Sequence, residues 1–142
     1  RLATYRPFGS PIESPAGIQG KATQFVMILD ALQLRLLEKI RSDLAGYSVV
    51  RSTSPLDNRA IWLEIFAGGI HKGNSCQTLL KKLNINCKEV AGLGNDYNDI
   101  DFLDICAEAY LVANAPVNLQ RHYKLVKSDK EEGFTEFISK VL

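Results

Sequence analysis

The chain has 142 residues, of which 46% are hydrophobic and 23% charged, and 17 Lys and Arg against 16 Asp and Glu leave a net charge of +1. That is the balance of a globular protein with a core of its own, and it offers no strong field to nucleic acid or to a membrane surface. No apolar run approaches the about 20 residues that cross a bilayer, and no segment is laid out as a signal peptide.

Residues 1–20 carry three of the five prolines and three of the ten glycines, which predicts a linker or loop. Residues 23–29 (TQFVMIL) are rich in β-formers and predict a strand. Leu32, Leu36, Ile40 and Leu44 recur every four residues, the spacing of one apolar helical face, and Gly46 follows as a stop. Tyr47–Thr53 reads as a strand and 54–59 (SPLDNR) as a turn. From Ala60 to Phe66, Ile61, Leu63 and Ile65 alternate with Trp62, Glu64 and Phe66, a period of two. These two strands are expected to pair antiparallel.

At Gly68 the pattern changes to alternating helix and strand. Helices are predicted over Asn74–Leu83, Asp99–Ala107, Val117–His122 and Gly133–Leu142. Strands are predicted over Glu89–Leu93, Ala109–Ala113 and Tyr123–Val126. Such alternation implies an α/β fold with a parallel sheet and right-handed crossovers. Ligands gather beyond the carboxyl ends of parallel strands, which directs attention to the loops after Leu93, Ala113 and Val126.

The first of those loops reads Gly92-Leu93-Gly94-Asn95-Asp96-Tyr97-Asn98-Asp99. Two carboxylates and two carboxamides crowd one strand-to-helix turn, and hard oxygen ligands of this kind suit Mg²⁺. Helix capping is the plainer account of the same residues, with Asn98 or Asp99 as the cap and Asp101 facing the helix dipole. Ahead of it, Gly68-Gly69-Ile70-His71-Lys72-Gly73 places a lysine where a helix begins. Backbone N–H groups there favour an anion and Lys72 adds a full charge, although a solvated loop lysine would look the same. Cys76, Cys87 and Cys106 are odd in number and lack metal-ligand spacing, so they are expected to be buried small side chains in a reducing, cytoplasmic compartment. His71 and His122 lie far apart with no Cys or His neighbours, and zinc is not expected.

Three runs, EIFAGGIHKGNSCQTLLKKLNI, VAGLGNDYNDIDFLDICAEAYLVANAPVNLQ and SDKEEGFTEFI, together resemble the end of a Cof-like, type IIB phosphatase of the haloacid dehalogenase superfamily. The resemblance covers about residues 25–142. It implies a Rossmann-like core, here its C-terminal half over 68–142, preceded by the later part of an α+β cap over 21–67. It further implies a Mg²⁺-dependent hydrolysis of a small phosphorylated metabolite, with sugar phosphates foremost, through an aspartyl-phosphate. Matched by motif, Lys72 resembles the lysine that steadies nucleophile and phosphate, and Asn98 the asparagine that reaches phosphate. Asp99 resembles the acidic residue supporting the metal, and Asn114 belongs to the family's Asn-Ala pair beside phosphate.

The chain departs from the pattern twice. Asn95 stands where the loop's first carboxylate is expected, which leaves Asp96 and Asp99 as the charged metal candidates and Asn95 as an amide one. The nucleophile motif, Asp-x-Asp-x-Thr or Val at a strand end, is absent, because Asp99-Ile100-Asp101-Phe102 lies inside the loop and helix start. The chain also opens on Arg1 with Met27 as its single methionine. A fragment or processed chain is therefore expected, completed by a missing N-terminal segment or by self-association. A non-catalytic phosphate- or metal-binding module and a phosphoryl-transfer mutase are the alternative readings.

Overall fold

A computed structural model of the chain describes residues 7, 9–18, 20–54 and 60–142. Of the turn expected at 54–59, positions 55–59 lie outside the described residues. The expected loop at 1–20 includes a short 3-10 turn, Pro15–Gly17, among its described residues.

Strands β1 (Phe25–Asp30), β2 (Tyr47–Thr53) and β3 (Ala60–Ala67) form an antiparallel sheet in the order β1-β3-β2. The register pairs Val49 with Ile65 and Arg51 with Leu63, as the period of two requires. One face packs Leu29, Ile61, Leu63 and Val49 against Leu37 and Ile40 of helix α1 (Leu36–Asp43). The opposite face carries Ser52 and Ile28 beside Trp62, and Val50 and Val26 beside Glu64.

The helix is one turn shorter than its leucine spacing predicts. Leu32 is 89% exposed and sits in a 3-10 turn, Ala31–Gln33, while Leu37 is buried. The Asp30 carboxylate accepts from Leu32 N, and Gln33 Oε1 accepts from Asp30 N. These local bonds offer the backbone an alternative to helix.

The second region joins helix α2 (Lys72–Leu83), β4 (Ala91–Gly94), helix α3 (Ile100–Leu103), β5 (Glu108–Val112), helix α4 (Val117–Gln120), β6 (Lys124–Val126) and helix α5 (Gly133–Val141). Its three strands are parallel in the order β4-β5-β6, as the alternation implies. Leu103, Tyr110, Leu111, Val112, Leu119, Val126 and Phe137 form the core, with Tyr110 edge-on to Phe137 at 5.4 Å between ring centroids. Helix α3 has four residues where nine were expected, because the chain must return at once to β5. Ile105 N and Cys106 N donate to Phe102 O and Leu103 O in tightened turns, and Ala107 N then donates to Val90 O. Gly133 opens α5 where any side chain is excluded, since a Cβ there would stand 2.0 Å from Lys127 O.

The cysteines depart from expectation, because none is buried: Cys87 is exposed and Cys76 and Cys106 are half-buried, all as free thiols. Partial burial pushes the Cys106 thiol up to about 11, and the nearby Cys76 and Cys87 add to the rise.

Candidate phosphate site at the strand ends

The site begins with a close approach of backbones. A Cβ on Gly73 would lie 2.4 Å from Asp101 O, so the first turn of α2 reaches the start of α3 only because residue 73 has no side chain. That approach carries Lys72 to the loop after β4. Its ammonium group donates to Asp99 Oδ1 in an ion pair and lies 3.4 Å from Asn98 Oδ1. Beside it, His71 Nδ1 stands 3.0 Å from Asp101 Oδ2.

Asp99 organises the loop from within. It is buried, and its Oδ2 accepts from Asn95 N at 2.8 Å and Asp96 N at 3.2 Å. Gly94 makes room for it, since a Cβ there would be 2.8 Å from Asp99 Cβ. Asp96 caps the 3-10 turn Tyr97–Asp99 by accepting from Tyr97 N at 2.8 Å, and Asp99 returns the bond to complete a capping box. Capping is thus performed by Asp96 and Asp99 together, one turn before the helix whose cap was expected at Asn98 or Asp99.

Of the sequence candidates, Lys72, Asn98 and Asp99 touch one another. Asn95, Asp96 and Asn114 join Lys72 and Asn98 around a cavity of about 990 Å³ whose far wall is the antiparallel sheet. A smaller cavity of about 560 Å³ flanks the same lysine and is lined by Val50, Phe66, Asn98 and Asp99. The Asn114 carboxamide is engaged on both sides, donating to Asp129 Oδ1 at 2.8 Å and accepting from Asp129 N at 3.3 Å. It ties the loop after β6 to the end of β5.

Several residues escaped the sequence reading. Arg51 of β2 lies over the Tyr97 ring at 3.6 Å from its centroid. Thr53 meets Asp96, and Asp129 and Lys130 line the larger cavity. Nothing local marks Arg51 or Thr53, whose partners are more than forty positions away. Asp129 and Lys130 do lie in the SDKEEGF run, so the end of β6 was the place to look.

The Mg²⁺ implied by the resemblance can be tested against the donors. A carboxylate offers about four acceptor positions. Asp99 accepts from Lys72, Asn95 N and Asp96 N, and Asp96 from Thr53 N, Thr53 Oγ1 and Tyr97 N. Among the described residues, no three His, Cys, Asp or Glu side chains converge as a metal site. Mg²⁺ is commonly held by one or two carboxylates together with waters and phosphate oxygens, and with about one acceptor position left on each, these carboxylates could supply part of its shell and not the whole of it.

The model of haloacid dehalogenase-like hydrolases matches residues 12–138. The chain belongs to this family. A Streptococcus pyogenes serotype M6 protein whose name proposes a phosphatase is 27% identical over 66% of this chain and 33% of its own length. The Streptococcus mutans UA159 protein SMU.1108c superposes with a TM-score of 0.78 at 23% identity, over 98% of this chain and 53% of its own. The subclass IIB sugar phosphatase BT4131 does so with a TM-score of 0.67 at 14% identity, over 82% of this chain and 42% of its own. At these identities the superpositions speak to the fold, which is the α/β haloacid dehalogenase-like one. The chain spans about a third of the length of the named relatives it matches, at 33% and 30%. Among the described residues no helix is long and apolar enough to cross a membrane.

Proposed function

We propose that this chain supplies the phosphate-binding half of a phosphatase acting on a small phosphorylated metabolite, with sugar phosphates the foremost class. The observation that carries this reading is Lys72. It stands at the first turn of a twelve-residue helix, 52% exposed, pointing across to Asn98 at the head of a parallel sheet. A phosphate placed there meets an ammonium, the N–H groups of a helix N-terminus and a carboxamide. Asp99 holds the lysine in place and offsets part of its charge, so phosphate binding loosens that ion pair rather than adding to a bare cation.

The covalent step belongs to an aspartate on a segment preceding this chain. Its carboxylate attacks phosphorus as the bond to the ester oxygen breaks, and the aspartate two positions later gives that oxygen its proton; water, deprotonated by the same aspartate, then attacks phosphorus, releasing phosphate and returning the carboxylate. Lys72 and Asn98 orient the phosphate and balance charge in both halves. The resemblance adds Mg²⁺, which the carboxylates described here do not hold alone, and nothing assigned to Lys72 or Asn98 passes through it. The same segment, or a second copy, would also complete the parallel sheet. The reading includes a cytoplasmic location.

Calorimetry with inorganic phosphate tests the binding half directly. The wild-type chain is expected to bind, and Lys72→Met to weaken affinity by about tenfold or more, the worth of a charge-assisted hydrogen bond. Equal affinity in both proteins rejects the site. Hydrolysis of an aryl phosphate with Mg²⁺, by this chain and by a form extended upstream, tests the catalytic half, and activity is expected in the longer form alone. Asn95, an amide where the loop's first carboxylate is expected, favours the second reading, a module that binds phosphate without turnover. Phosphate binding with no hydrolysis by the extended form would select it.

A further inference from the structure

We propose that Asp96 is a docking residue, which fastens the antiparallel sheet to the loop after β4, and that it is not a metal ligand. Strand β2 is an edge strand, since the sheet order β1-β3-β2 leaves its outer side without a strand partner among the described residues. The outward N–H groups of such an edge require other acceptors. Asp96 provides one. Its Oδ2 accepts from Thr53 N at 2.5 Å and its Oδ1 from Thr53 Oγ1 at 2.8 Å. Together with Tyr97 N these donors satisfy a carboxylate that is 8% exposed, a group that is costly to bury without them.

A second contact joins the same two segments. Arg51 and Thr53 are two apart on β2 and therefore share a face, and Tyr97 and Asp96 are neighbours on the loop. The Arg51 guanidinium stacks on Tyr97 beside the point where Thr53 grips Asp96. Two consecutive loop residues thus meet two alternate strand residues. A metal ligand would instead keep oxygens free for the ion, whereas both Asp96 oxygens already accept from Thr53 and one of them from Tyr97 N as well. The clamp sets how closely the sheet stands over Lys72, and so the height of the cavity between them. It is independent of whether phosphate binds at Lys72.

Hydrogen exchange of the whole chain, followed amide by amide, tests the assignment. Asp96→Ala is expected to speed exchange at the position 53 amide by about tenfold or more, the loss of a hydrogen bond to a charged group. The Ser54 amide, which donates within the hairpin to Ala60 O at 3.1 Å, should change little, which separates a lost clamp from general loosening. Thr53→Val removes only the hydroxyl half and keeps the strand, and it should give a smaller acceleration at the same amide, about threefold. This variant decides the matter if Asp96→Ala does not fold. Millimolar Mg²⁺ added to the wild-type chain should leave the position 53 amide unchanged. Acceleration by Mg²⁺ would mean that the ion draws Asp96 away from Thr53, and would overturn the proposal. So would an unchanged position 53 amide in both variants.

Discussion

The two sheets are buried to different depths. In the parallel sheet the central strand β5 hides Tyr110, Leu111 and Val112 in succession, because helices and strands surround it. In the antiparallel sheet, β1 leaves Phe25, Val26, Met27 and Ile28 all at least 40% exposed, although its sequence is the more apolar. Hydrophobicity along a strand therefore does not report how well that strand is covered. Of the residues proposed to bind phosphate, Asn98 and Asn114 follow strands of the well-covered sheet, and Lys72 reaches Asn98 from the first turn of α2. The open sheet contributes a wall and a clamp.

The largest test of that contrast lies in the core. Leu111 is fully buried, and Leu111→Ala is expected to cost about 3 kcal/mol in a denaturant titration, from lost transfer energy and the cavity left behind. A change under about 1 kcal/mol would mean that the parallel sheet is no better packed than the other. Val26→Thr with Ile28→Thr alters the open face of β1 and keeps its β-branched shape. Stability should move by about 0.5 kcal/mol or less, while self-association on size-exclusion chromatography should fall. A wild-type chain that runs as a compact stable monomer would remove the ground for that expectation.

The smallest effect concerns acid. The backbone N–H of Lys127 holds the Glu136 carboxyl below its ordinary value of 4.5, with a lesser contribution from Lys140. A lowered carboxyl stabilises the fold above the ordinary value, and that contribution is lost as pH falls through the lowered one. Below pH 4.5 the melting temperature of the wild type should therefore fall more steeply than that of Glu136→Gln. Parallel curves would remove Glu136 from the acid response.

What was legible in the sequence follows from how far each contact reaches along the chain. Strand β2 has the bounds its composition predicts, and α5 starts at the expected glycine, because period and capping are local properties. Lys72, Asn98 and Asp99 were legible because a glycine-rich turn and a carboxylate-rich turn at strand ends are local as well. Leu32 misled because Asp30 and Gln33 close a turn that helical spacing does not reveal. The clamp was illegible for a different reason. Thr53 and Asp96 are 43 positions apart, and threonine and aspartate are common at strand ends and caps, so only docking gives the pair meaning. Asp96 stands within the carboxylate loop, which suggests a metal ligand from sequence alone, while its bonds to Thr53 N and Thr53 Oγ1 of the other sheet show only in the fold.

Gly73 carries a consequence for inheritance. It has no side chain and bears no charge, yet the space a methyl group would need is taken by the carbonyl of Asp101. An alanine there would lever the helix outward and withdraw the neighbouring lysine from the loop without altering it. In a scan of every substitution across the chain, position 73 should therefore tolerate as little as position 72. A lineage that gave up the glycine would have lost the use of the lysine, even with the lysine still written in its gene.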